Sequence, residues 1–88
     1  MFRFEWDENK RQTNIRKHGI DFKDAVEIFF NHHITYEDDR PIYDERRFIT
    51  FGYLKSHPLI VIHTFIDDDV IRIISARKAK KHEEKRFL

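Results

Sequence analysis

Cysteine is absent from the 88 residues, which excludes a disulfide framework and a thiolate metal site. Glycine occurs twice, too few for a loop that cradles phosphate. No apolar run approaches the length of a membrane span. The opening MFRFEWDENK also lacks a signal-peptide pattern, so a cytoplasmic chain with no membrane partner is expected. The histidines never take the H-x-x-x-H or H-E-x-x-H spacing. His32 and His33 lie near Glu37, Asp38 and Asp39, but neighbours in a strand point to opposite faces. No metal and no cofactor are therefore expected. Ser56 and Ser75 lack the flanking glycines of a nucleophile elbow. Repeats, linkers and low-complexity tracts are missing too.

What is present is 40% hydrophobic residues, nine of them Phe, with 38% charged residues. That suffices for one packed core under a charged surface, so residues 1–88 read as a single domain. Net charge is only +1, but it is unevenly spread. Residues 70–88 hold seven cations and two anions, a net of +5. The remainder holds ten cations and fourteen anions, a net of −4. A basic end on an acidic body is the asymmetry of a surface that faces phosphate, although a solvated terminal helix has the same composition.

The chain centres on Leu59 to Ala79. LIVIHTF is apolar and β-branched, IDDD must turn, and VIRIISA is β-branched again before the cations begin. Upstream, Phe2, Phe4 and Trp6 alternate as a short strand. Asp7 caps a polar helix that stops at Gly19, with Ile15 its one strong apolar residue. Asp21 caps a second helix whose stripe of Phe22, Ala25, Val26, Phe29 and Phe30 is core. Ile34 to Tyr36 and Arg46 to Tyr53 read as strands, with Gly52 ending or bulging the latter. Lys78 to Phe87 reads as a last helix with a thin apolar contact. The expected fold is α+β: a small antiparallel meander sheet covered on one side by two N-terminal helices, with a C-terminal helix.

Metal-free RNA cleavage needs little apparatus. The 2′-hydroxyl attacks its own phosphate, and the protein supplies cations, a base and an acid. Arg46, Arg47, Arg72 and Arg77 lie on or at the ends of expected strands, and arginine's fork suits phosphate. Lys78, Lys80 and Lys81 extend the basic edge towards RNA. Glu45 and His63 are candidates for base and acid. Each has a plainer reading: Arg72 as the solvent side of an edge strand, Glu45 as a partner of Arg47, His63 as a hydrogen-bonded core residue. A two- or four-residue turn at the aspartates puts His63 and Arg72 on one face, and a three-residue turn separates them.

Three blocks, FEWDENKRQTNIRKHGIDFKDAVEIFF, DERRFITFG and IRIISARKAKKHE, resemble the BrnT family of bacterial type II toxins, in family order from about Phe4 to Glu84. The resemblance implies a RelE-like fold and a ribonuclease that arrests translation. It also implies a BrnA-type antitoxin as partner, and operator DNA bound indirectly through that antitoxin. By matching motifs it implies that Arg47 and Arg77 matter for toxicity, and it puts Lys17 and His18 in a family-typical segment. Where the family usually has Ser before the second helix, this chain has Asp21, an equivalent cap. Two other readings share the charge pattern: a non-catalytic module acting only through an antitoxin–DNA complex, and a degenerate toxin.

Overall fold

The hairpin from Leu59 to Ala79 is the centre of the sheet in the computed structural model, which describes residues 2–42 and 44–87. In chain order the elements are β1 (Arg3–Trp6), α1 (Glu8–His18), α2 (Phe22–Ala25), a 3-10 segment (Val26–Phe30), β2 (His33–Asp38), β3 (Arg47–Leu54), β4 (His57–Asp67), β5 (Val70–Lys78) and α3 (Lys81–Phe87). The strand order is β1-β5-β4-β3-β2.

The α+β class is as expected, but the sheet is mixed rather than an antiparallel meander. β1 pairs parallel with β5, from Arg3 opposite Val70 to Trp6 opposite Ile73. The meander β2 to β5 leaves the outer edge of β5 open, and β1 fills it. β1 and β2 then lie at opposite edges, so the connection between them must cross the whole sheet. α1, α2 and the 3-10 segment form that crossover on the first face. There Phe4, Trp6, Phe22, Ala25, Ile28, Phe29, Leu59, Val61, Ile71 and Ile73 make the core.

The segment after Asp21 does not continue as a regular helix. After one α-turn it tightens to 3-10, and Phe22, Ala25 and Ile28 are fully buried at three-residue intervals. That interval is the repeat of a 3-10 helix. The helical stripe expected from the sequence is thereby shifted: Ile28 is inside and Phe30 is 65% exposed. Gly52 neither ends nor bulges β3. A Cβ there would come within 2.9 Å of the Ile28 Cβ, so the bare backbone is what lets the 3-10 segment sit down on the strand.

The sheet is covered on two sides, not one. α3 lies across the second face, where Phe87 stacks on Phe51 at 4.9 Å and on Tyr36 at 5.4 Å. Tyr53 donates to Glu84 at 2.6 Å. Ile60, on this face, is 2% exposed.

α1 is held by its caps and by one buried amide. Asp7 accepts from the Lys10 backbone, and Gly19 closes the helix in the left-handed conformation at φ 69°. Asn14 is 4% exposed. Its amide nitrogen donates to the carbonyls of Ala76 (2.8 Å) and Ile20 (2.9 Å), and its oxygen accepts from the Ala76 N–H (3.0 Å). The amide thus pairs with β5 as a strand would, beyond the point where β1 ends. Replacing it leaves three buried backbone groups without partners. Asn14→Ala should lower unfolding stability by about 2–4 kcal/mol in urea titration. A loss below about 0.5 kcal/mol would show the amide to be dispensable.

Candidate nucleic-acid interface

Which side chains share a face is decided in the β4–β5 hairpin. The aspartates turn in two residues, Asp68 and Asp69, with Asp67 opposite Val70. A simple hairpin of that kind would put His63 opposite Ile74 and on one face with Arg72. Two register shifts intervene, one at Ile66 and one at Ile74. Between them His63 faces Ile73 and Thr64 faces Arg72. His63 therefore points to the core face, and Arg72 to the second face.

On the second face a polar row crosses the sheet. Asp38 is opposite Arg47, Thr64 is opposite Arg72, and Arg72 is opposite Glu5. β3 and β4 meet last at Phe48 and His63, so Arg47 and Thr64 adjoin one step on. Thr64 also ties the strands by donating to the Arg46 carbonyl at 2.8 Å. Arg47 and Arg72 flank Thr64 from either side, about 10 Å apart at the backbone by strand spacing. Each guanidinium is close to a carboxylate: Arg72 is 3.5 Å from Glu5, and Arg47 is 3.9 Å from Glu45. Asp38 is gripped by the Arg40 fork at 2.7 and 2.9 Å. That fork, with Arg47 adding a smaller effect, holds its carboxyl below the ordinary range.

Arg77 is on the same face but at its other end. It sits opposite Ile60, four residues along β4 from Thr64, which puts it about 16 Å from Arg47 by strand geometry. Its fork closes on Glu83 of α3 with two bonds of 2.8 Å. Glu83 also accepts from the Lys80 backbone N–H at 2.8 Å. The Arg77 bond first, and the Lys80 bond after it, hold the Glu83 carboxyl down at about 2.

The other sequence candidates are dispersed. Arg46 turns away from the row, makes a fork with Glu37 at 2.9 Å and lies over the Phe48 ring. Glu45 is exposed in the loop before β3. Lys78, Lys80 and Lys81 are exposed between β5 and α3, and Lys17 is exposed on α1. His63 is fully buried, with Nε2 at 2.7 Å from the Thr50 hydroxyl, which is in turn 2.7 Å from Thr35. Phe29, Phe48 and Phe65 surround its ring. Sequence reasoning did not single out Thr64, Glu5, Glu83 or Asn14. Thr64 meets Arg72 only because of the shifts, and Glu5 only through the parallel β1–β5 pairing, and neither leaves a mark in the sequence.

A five-stranded mixed sheet with helices on both faces, and with Arg47, Arg72 and Arg77 on one of them, defines a small α+β protein. Residues 6–83 match the family described as "Ribonuclease toxin, BrnT, of type II toxin-antitoxin system", and the chain belongs to that family. It is also similar to the crystal structure of the Brucella abortus ribonuclease toxin BrnT. The identity is 31% over 92% of this chain and 100% of that one, with a TM-score of 0.72. No curated protein sequence matches the chain. The family is one of type II systems, so an antitoxin is its implied partner.

His63 gives a pH prediction for the fold. Burial, and secondarily the nearby His33, push its imidazole down from 6.5 to about 4. The unfolded chain binds the proton more readily, so stability is complete above about pH 6.5 and falls as pH drops towards 4. The loss should reach about 3 kcal/mol. His63→Leu leaves Thr50 its bond to Thr35 and removes the titration. Denaturation of both proteins at several pH values should show a flatter profile for the variant; equal slopes would rule out His63 as the source.

Proposed function

We propose that this chain is a metal-independent endoribonuclease that arrests translation and acts as a single toxin domain over residues 1–88. The observation that carries the reading is the row of Asp38, Arg47, Thr64, Arg72 and Glu5 on one sheet face, in a member of a ribonuclease toxin family. A phosphodiester seated over Thr64 has a guanidinium on each side. The 2′-hydroxyl attacks the phosphorus, and a phosphorane with extra negative charge forms. Arg47 and Arg72 stabilise that charge better than the ground state's, which is what lowers the barrier. Glu45, beside Arg47, takes the hydroxyl proton. The 5′-oxygen leaves as it takes a proton from water, giving a 2′,3′-cyclic phosphate and a 5′-hydroxyl, and the proton held by Glu45 returns to solvent. His63 has no part in this, because it is buried on the other face. Arg77 holds the RNA further along the face once Glu83 yields it, and Lys78, Lys80 and Lys81 add long-range attraction.

A BrnA-type antitoxin neutralises the toxin by covering this face and residues 70–88, and the pair represses its own operon in the cytoplasm. The fold is further read as RelE-like. The alternative of a non-catalytic module draws on the internal carboxylate that each of Arg46, Arg72 and Arg77 possesses.

Cleavage of single-stranded RNA by purified protein in chelator tests the reading. Wild type should cut and leave cyclic phosphate ends. Arg47→Ala and Arg72→Ala should each lose about a hundredfold or more in rate with unchanged circular dichroism. Arg77→Ala should weaken binding more than turnover. RNA left intact by wild type, alongside tight antitoxin binding, would establish the non-catalytic module. Full cleavage by the Arg47→Ala/Arg72→Ala double variant would remove the row as the site.

A further inference from the structure

We propose that the cleft between α1 and β5 is a second RNA-backbone subsite, which receives the strand as it leaves the arginine-bearing face. The inference rests on the ribonuclease reading and extends it to a part of the molecule off that face.

The cleft is a cavity of about 330 Å³, and Asn9, Lys10, Thr13, Lys17, His18 and Ser75 are among its lining residues. Residues 9/10, 13/14 and 17/18 of α1 repeat at the spacing of one helical face. A helix laid beside a sheet normally turns an apolar stripe to it. Here the stripe is polar, and Asn14 alone in it is hydrogen-bonded to β5. The remaining side chains of the stripe therefore have no evident task in holding the fold.

Inside the cleft their charge meets no acid, while Glu5 and Asp7 share the adjoining hollow with Lys10. No carboxylate of the described residues lines the cavity. Among the described residues Lys10 and Lys17 enter no ion pair. The neighbouring Arg11 is divided between Glu8 and Asp21, and Arg46, Arg72 and Arg77 each have an acid within 3.5 Å. With no acid in ion-pair range among the described residues, these lysines invite an external anion. Ammonium groups suit phosphate as point charges, and Asn9 and Thr13 can reach sugar hydroxyls.

Continuity with the sheet face favours RNA over an acidic protein segment. Ser75, on the cleft wall, is opposite Ile62 and so shares the second face with the polar row. Lys10 borders both this cleft and an adjoining hollow that contains Arg72 and Glu5. A strand crossing the row at Arg72 thus passes over Lys10 into the cleft, where β1 has ended and the β5 edge is open.

The test uses Lys10→Ala/Lys17→Ala, both exposed positions, with single-stranded RNA bearing 2′-O-methyl groups that prevent cleavage. By fluorescence anisotropy its affinity should fall about tenfold, and the salt dependence of log K should lose a slope of roughly one to two. KM for cleavage of unmodified RNA should rise in step. Wild type that cleaves RNA, with a variant of equal affinity and salt slope, overturns the subsite and leaves the ribonuclease reading intact. A variant that binds RNA normally but loses its antitoxin also overturns it, and assigns the cleft to the protein partner. Wild type that neither binds nor cleaves RNA sinks both readings.

Discussion

The two register shifts in the β4–β5 hairpin are the constraint on which the rest of the molecule depends. Side chains alternate across a strand, so a slip of one residue sends every group upstream to the opposite face. The shift at Ile66 turns His63 inwards and Thr64 outwards. The shift at Ile74 reverses the effect, so that Val61 and Ala76 return to the core together. The stretch between them is the one that carries Arg72. Without either irregularity the arginine would lie on the first face, inside the core, or the core would lose half of its aliphatic residues from that face. Bulges are common where a sheet must aim one side chain independently of its neighbours.

The first face explains why that device is tolerated. β5 is flanked on one side by β4 and on the other by β1, but β1 stops at Trp6. Asn14 takes over the open edge two residues past the second shift. A side-chain amide can adapt to a bulged strand as a rigid neighbouring strand cannot. The same choice keeps α1 polar, because the helix is attached by hydrogen bonds and caps rather than by an apolar stripe.

The sequence makes much of this legible and hides the rest for definable reasons. Capping at Asp7, Asp21 and Gly19 is local chemistry, and local chemistry reads directly from residue type. The five strands follow from alternation and β-branching. The parallel placement of β1 is not written in any window of sequence, since it arises from an edge left open by distant strands. Hairpin parity is hidden likewise, because nothing in IDDDV distinguishes a plain turn from one followed by a bulge. For the site, the arginines were visible as residue types in unusual positions. Their grouping was not: Arg47 joins Arg72 across Thr64, while Arg77 is isolated under α3. Asn14 left a faint sign, since a helix with one apolar residue needs some other attachment.

The two ends of the arginine face differ in how readily a phosphate can enter. At the Arg72 end the acid partner, Glu5, is as exposed as the arginine, at a separation of 3.5 Å. Such pairs are weak in water, so in the proposed reaction the carboxylate opposes an incoming phosphate little. At the Arg77 end the fork is bidentate, and its acid is further fixed by the Lys80 backbone. Exchange there requires α3 to give up Glu83, and α3 is also held by Phe87 on Phe51 and by Tyr53 on Glu84. Stacking and ion pairing thus act together, and freeing Arg77 means loosening the whole helix. In the proposed reaction the row at Arg47 and Arg72 is therefore the point of first contact, and Arg77 is engaged only by a ligand already held there. An antitoxin that fastened α3 to the sheet would silence the far end without touching the near one.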